Sequence, residues 1–126
     1  MSDDERRKKL LNDVEATRPD RQVSRWAYMA EFDIDYVEAF QKLYKTVHSD
    51  RVLPKKYREI ILSVLLASRL ADRLAPHLDR ALDAGATEAE LLEALQLAQM
   101  IFGAPSLLYA LDTMQSVMAE RKARGL

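Results

Sequence analysis

The feature that most restricts the fold is the stretch KKYREIILSVLLASRLA, residues 55–71, which is apolar on almost every side when it is wound as a helix. A helix without a wide polar face has to be surrounded by other elements. Residues 86–105 are similar, because their polar side chains fall on one narrow stripe: Glu90, Glu93, Gln96 and Gln99. No segment shows a convincing strand pattern. The sequence therefore predicts an all-α bundle of about five or six helices.

The N-terminal region, residues 1–32, is predicted to form a short helix followed by an irregular arm. Ser2 and Glu5 have the spacing of a capping box, which begins a helix. The stretch RWAYMAEF is less regular, and we expect it to form a short helical turn or loop that packs Trp26 and Tyr28 against the core.

The remaining helices are assigned to a helical core over residues 33–122. Asp33 is the expected N-cap of a helix whose apolar face comprises Tyr36, Val37, Phe40, Leu43, Tyr44 and Val47. Proline suits the first turn of a helix, and glycine suits the position after its last turn. The boundaries of the later helices are therefore predicted from four residues: Pro54, Gly85, Gly103 and Pro105. Thr87 with Glu90 repeats the capping-box spacing.

Length and charge exclude several classes of protein. With 126 residues the chain suits one domain, residues 1–126. The 19 Lys and Arg against 20 Asp and Glu give a formal charge of −1, so we expect neither nucleic acid nor a membrane surface as a partner. The absence of cysteine excludes disulfides, thiolate metal sites and thiol nucleophiles.

The chain is expected to be cytoplasmic and to associate with itself. Its start is charged where a signal peptide is apolar, and no apolar run approaches the roughly 20 residues of a membrane span. Two helices that are apolar on nearly every side are more than a chain of this length can cover, which predicts a homo-oligomer.

His77 is the first candidate for chemistry, in the stretch LADRLAPHLDRALDAG, residues 70–85. If Asp72 caps this helix, Pro76 falls near its fourth position and breaks little helical hydrogen bonding. Arg73 then lies one turn from His77, which borders the leucine stripe of the core. A neutral imidazole there suits proton transfer while Arg73 holds a carboxylate. The alternative is an ordinary hydrogen-bonded or interface histidine.

Glu59 and Ser63 are the second candidate, with Ser63 as a candidate substrate-binding residue, because they lie one turn apart on the helix whose other faces are apolar. A buried carboxylate is costly unless it is paired, so a carboxylate in such a place often marks a functional site. The alternative is that Glu59 favours the first turn of its helix and pairs with Lys55, Lys56 or an arginine.

Tyr44 and His48 share a face near the end of their helix and are candidate substrate-binding residues. His48 is equally explained by its place at the C-terminal end, where positive charge complements the helix dipole.

Three segments together resemble the carboxymuconolactone decarboxylase family, which also includes alkylhydroperoxidase D-like proteins: LPKKYREIILSVLLAS, LAPHLDRALDAGATEAELLEAL and IFGAPSLLYALDTM. The resemblance covers about residues 33–118. Its most specific pattern consists of His77, Gly85, Thr87, Glu90, Gly103 and Pro105. The peroxidase branch has a Cys-x-x-Cys pair at the positions of Leu70 and Arg73, so this chain fits the branch without cysteines.

That branch implies an alkylhydroperoxidase D-like all-α fold, intertwined homo-oligomers (often trimers or hexamers), no cofactor, and a small cyclic carboxylate lactone as the organic-acid substrate. The resemblance assigns Glu59 to the glutamate of the family. It suggests that His77 moves the proton, that Arg73 or Arg69 orients the substrate, and that Glu59 sets the charge and tautomer of the imidazole.

Two functions from different classes therefore stay open. One is a cofactor-free decarboxylase in which His77, Arg73 and Glu59 converge on one pocket. The other is a non-catalytic member of the same fold that binds a small molecule or only assembles. A nucleic-acid or partner-binding module is disfavoured, since the arginines are scattered over several helices.

Overall fold

The computed structural model describes residues 1–18 and 23–126, and over these ranges its only regular secondary structure is α-helix. It contains seven helices there: α1 (Asp3–Thr17), α2 (Val23–Phe32), α3 (Ile34–Val47), α4 (Lys55–Ser68), α5 (Leu74–Asp83), α6 (Glu88–Phe102) and α7 (Ala104–Ala123). The all-α prediction is confirmed. The predicted count of five or six is too low, because the segment expected to be a turn or loop forms α2.

The helices group into two compact units, Met1–Ser49 and Asp50–Leu126. Helix α3, which the sequence placed in a core beginning at residue 33, packs on α1 and α2 in the N-terminal unit. The single domain over residues 1–126 stays a prediction.

The N-terminal unit is built on four buried apolar side chains: Leu10, Val14, Ala30 and Val37. Its first helix has the predicted capping box, in which the Glu5 N–H donates to Ser2 Oγ at 3.2 Å. Trp26 packs against this core as expected. The prediction for Tyr28 is wrong, since its side chain is 79% exposed. Two residues along a helix turn the side chain by about 200°, so burying Trp26 sends Tyr28 outward.

The C-terminal unit packs α4 against α5, α6 and α7. Its buried apolar core consists of Ala67, Leu74, Leu78, Ala81, Ala86, Leu91, Leu95, Ala110, Met114 and Val117. The predicted Thr87–Glu90 capping box begins α6, and Gly85 follows α5 with a φ of +100°. Among the described helices, none is long and apolar enough to span a membrane.

Large apolar side chains remain exposed on this unit. On α4 the buried line is Glu59, Ser63 and Ala67, whereas Ile61 and Leu65 are about half exposed. A second set lies at the end of α6 and the start of α7 and comprises Leu97, Met100, Ile101, Phe102, Leu108 and Leu111. We call this second set the α6–α7 apolar patch.

The turn between α4 and α5 contains a strained residue. Leu70 has a φ of +52°, a left-handed conformation that ordinarily favours glycine. The Leu70 N–H donates to the Ala67 carbonyl at 3.1 Å and the Ala71 N–H to the Leu66 carbonyl at 3.0 Å. These two bonds form a Schellman motif with a leucine in the glycine position.

We expect Leu70→Gly to raise the free energy of unfolding by about 1 kcal/mol, because the left-handed conformation costs an L-residue roughly 1–2 kcal/mol and the added freedom of the unfolded chain offsets part of the gain. Urea denaturation measures the change. Leu53→Gly is the control, since Leu53 is also half exposed but has no positive φ, and should not stabilise. A less stable Leu70→Gly protein contradicts the strain argument.

Candidate active site

Glu59 and His77 meet inside the C-terminal unit. The His77 Nδ1 lies 2.6 Å from Glu59 Oε2, and only 2% of Glu59 and 9% of His77 is exposed. With the carboxylate ionised, the Nδ1–H donates and the carboxylate oxygen accepts. This short hydrogen bond joins α4 to α5 through two buried side chains.

Local sequence explains why each member of the pair is buried. Glu59 lies on the buried line of α4, and His77 lies between Leu74 and Leu78, which are fully buried. Pro76 is the third residue of α5, where an N–H has no acceptor within the helix, so the proline breaks no helical bond. The prediction of Asp72 as the cap is wrong. Arg73 occupies that position, one residue before the helix begins.

Ser63 lies one turn after Glu59 and is fully buried. Its Oγ donates to the Glu59 backbone carbonyl at 2.8 Å. The Ser63 hydroxyl proton is therefore used in a hydrogen bond within α4, and the Ser63 oxygen can still accept a hydrogen bond. A substrate-binding role for Ser63 stays a prediction.

Arg69 and Arg73 flank the strained Leu70 turn. Arg69 is the exposed C-cap residue of α4, and Arg73 is the partly buried N-cap residue of α5. Arg73 precedes His77 by four residues, as the sequence predicted. The binding of a carboxylate by either guanidinium stays a prediction.

Tyr44 and His48 belong to the N-terminal unit, whereas Glu59 and His77 belong to the C-terminal unit. The two rings are stacked with centroids 3.9 Å apart, and the His48 Nδ1–H donates to the Tyr44 carbonyl at 3.0 Å. His48 is the C-cap residue of α3, and its imidazole adds a second donor to the Tyr44 carbonyl, which also accepts the His48 backbone N–H at 2.9 Å. The contact fits the helix-end interpretation, and a role for either residue in substrate binding stays a prediction.

Tyr109 helps to hold the turn before α5, and the sequence did not predict this role. Its hydroxyl donates to the Ala71 carbonyl at 2.6 Å and so ties α7 to the turn that leads into α5. The two residues are 38 positions apart. Helical periodicity describes neighbours within a few turns, so no sequence pattern indicates this contact.

Within residues 1–18 and 23–126, no group of three or more His, Cys, Asp or Glu side chains is arranged to hold a metal ion. The Glu59–His77 pair is suited to acid–base chemistry, because the carboxylate fixes the orientation of the imidazole.

Comparison with known proteins gives one result. A sequence model described as the carboxymuconolactone decarboxylase family matches residues 35–116, which includes both members of the buried pair. The curated proteins and the solved structures gave no significant match. The match spans well over half of the chain and confirms the resemblance seen in the sequence, in a protein without cysteine. The chain belongs to the carboxymuconolactone decarboxylase family.

Proposed function

We propose that this protein is a cofactor-free decarboxylase of a small cyclic carboxylate lactone, with His77 as the proton shuttle. The observation that supports it best is the buried hydrogen bond between His77 and Glu59, inside the region that matches the family. The family match alone supports only a relationship to decarboxylases, so the reaction rests on this geometry.

The reaction needs three contributions from the protein. The bond between the ring carbon and the carboxylate breaks, CO2 leaves, and the electron pair stays on the ring, where it spreads towards the lactone carbonyl. Holding the carboxylate in one orientation and stabilising the developing charge lower the barrier, and a proton then completes the product. In this proposal Arg73 or Arg69 holds the carboxylate and His77 handles the proton.

The proposal assigns the proton transfer to one nitrogen of the imidazole. Because Nδ1 is engaged by Glu59, proton transfer uses Nε2. The His77 side chain is 11% exposed and the Glu59 side chain is 3% exposed, so the histidine is the more accessible member of the pair. Glu59 therefore serves as a positioning residue that fixes the tautomer of His77.

The direct test is release of CO2 from carboxylated lactones by the purified protein. We expect turnover of 4-carboxymuconolactone or a close analogue without added metal or cofactor. If no carboxylated lactone in a panel of ring sizes is decarboxylated, the enzyme proposal is wrong.

A non-catalytic member of the same fold is the second candidate, and the α6–α7 apolar patch supports the assembly that this candidate and the decarboxylase have in common. Met100 and Ile101 are 81% and 78% exposed in the single chain. Large apolar side chains that are exposed in such number ordinarily mark an interaction site. We propose that the patch is covered by further copies of this chain, in a trimer or hexamer. A cytoplasmic location, and the absence of nucleic-acid and membrane partners, stay predictions.

We expect Ile101→Glu to dissociate the oligomer into monomers at micromolar concentration, because burying an unpaired carboxylate at the contact is costly. Sedimentation velocity measures the result. Gln96→Glu is the matched control, since it adds the same charge at an exposed polar position of α6 and should leave the oligomer intact. A wild-type protein that sediments only as a monomer refutes the assembly proposal.

A further inference from the structure

A cavity of about 720 Å³ lies between α1 and α3, wholly within the N-terminal unit. This volume is within the range of small-molecule sites. The cavity is lined by both helices, and its apolar lining includes Leu10 and Ala16. Helix α1 lies outside the residues that match the family, so the cavity depends on a part of the chain that the family match does not cover.

Two ion pairs fix how α1 and α3 lie side by side. Arg6 pairs with Glu38, and Asp13 pairs with Lys45 at 3.1 Å. Each partner on α3 is 32 positions after its partner on α1, so the two helices run in the same direction in a constant register. Lys9, which lies between Arg6 and Asp13, is therefore level with residues 41 and 42 of α3.

The charges lining this cavity do not balance. Arg6 and Lys45 are neutralised by the carboxylates that fix the register, Arg6 also by Asp35. Lys9 and Lys42 also line the cavity, and in the described part of the chain neither has an ion-pair partner. Lys9 and Lys42, two exposed lysines at the same level of neighbouring helices, therefore leave a local excess of positive charge that an anion relieves.

We propose that this cavity binds a small organic carboxylate with an apolar body. The carboxylate lies between Lys9 and Lys42, and the apolar part packs against Leu10 and the methylene chains of the lysines. The site is separate from the Glu59–His77 pair and does not depend on the proposed decarboxylation.

The experiment is a two-dimensional amide NMR titration of the full chain with octanoate. We expect shift changes to concentrate on α1 and α3. Lys9→Gln and Lys42→Gln are each expected to weaken binding about threefold and the double substitution about tenfold, as for exposed charge contacts. Lys55→Gln, an exposed lysine at the start of α4, is the matched control and should bind octanoate like the wild type.

Octan-1-ol separates the contribution of charge from that of the apolar chain. We expect it to bind more weakly than octanoate, and we expect added salt to weaken only octanoate. The proposal is overturned if octanol binds as tightly as octanoate, if the lysine substitutions have no effect, or if the shift changes fall on the α6–α7 apolar patch instead of on α1 and α3.

Discussion

His77→Ala is expected to abolish turnover of a 4-carboxymuconolactone substrate while the helices stay folded. General acid–base catalysis by a positioned imidazole contributes roughly 10²–10⁴-fold to a rate, and the His77 imidazole is held by its hydrogen bond to the buried Glu59. Turnover is measured as CO2 release, and circular dichroism reports the helical content. The loss should appear in kcat more than in KM, since the imidazole acts on the reacting atoms.

Removing the imidazole also leaves Glu59 buried without this partner, which destabilises the fold. His77→Gln separates the loss of catalysis from the loss of stability. Its side-chain amide N–H can still donate to the Glu59 carboxylate, but the amide cannot transfer a proton. We expect it to be folded and inactive. Leu82→Ala on the same helix is the control for stability: Leu82 packs against the core, so the change costs about 2 kcal/mol or more but should spare turnover. Wild-type turnover by either His77 variant refutes the shuttle role.

Glu59→Gln is expected to lower turnover by at least about tenfold, with little change in shape at the site. Exchanging a carboxylate for an amide behind a catalytic histidine lowers rates by up to about 10⁴-fold, because the imidazole loses the partner that fixes its tautomer. The second readout is the ¹⁵N chemical shift of the His77 ring nitrogens, which reports where the proton sits. We expect the Nδ1 signal to move in Glu59→Gln.

Glu93→Gln provides the matched control, since Glu93 is exposed on α6 and the change removes the same charge. It should alter neither the turnover nor the ring-nitrogen signals of His77. If Glu59→Gln moves the Nδ1 signal but leaves turnover unchanged, the pair is structural and the non-catalytic alternative gains support. If it changes neither, Glu59 does not position the imidazole.

Several parts of the fold were predictable because their causes lie within one or two turns of the chain. The capping boxes at Ser2 and Thr87, the cap at Asp33 and the left-handed Gly85 all depend on residues within a few positions of one another. The same holds for the burial of His77 beside the leucine stripe of α5.

Predictions of which face is buried were less accurate, because burial depends on the neighbouring helix. On α3, Val37 is buried as expected, but the other buried residue is Gln41, whereas Leu43 is more than half exposed. The buried amide is satisfied by Asp13 and Thr17 of α1, at 2.9 Å each. Periodicity marks an apolar face but does not show which polar side chains find partners across a helix contact.

The sequence by itself determined the helical class, most helix boundaries, the family and the identity of the residues worth testing. Only the tertiary structure decided that Glu59 and His77, 18 positions apart, come within 2.6 Å, and that Tyr109 holds the turn before α5. The physical reason is the range of the forces involved. Caps and propensities act along one helix, whereas the distance between side chains on two helices is set by how the whole core packs.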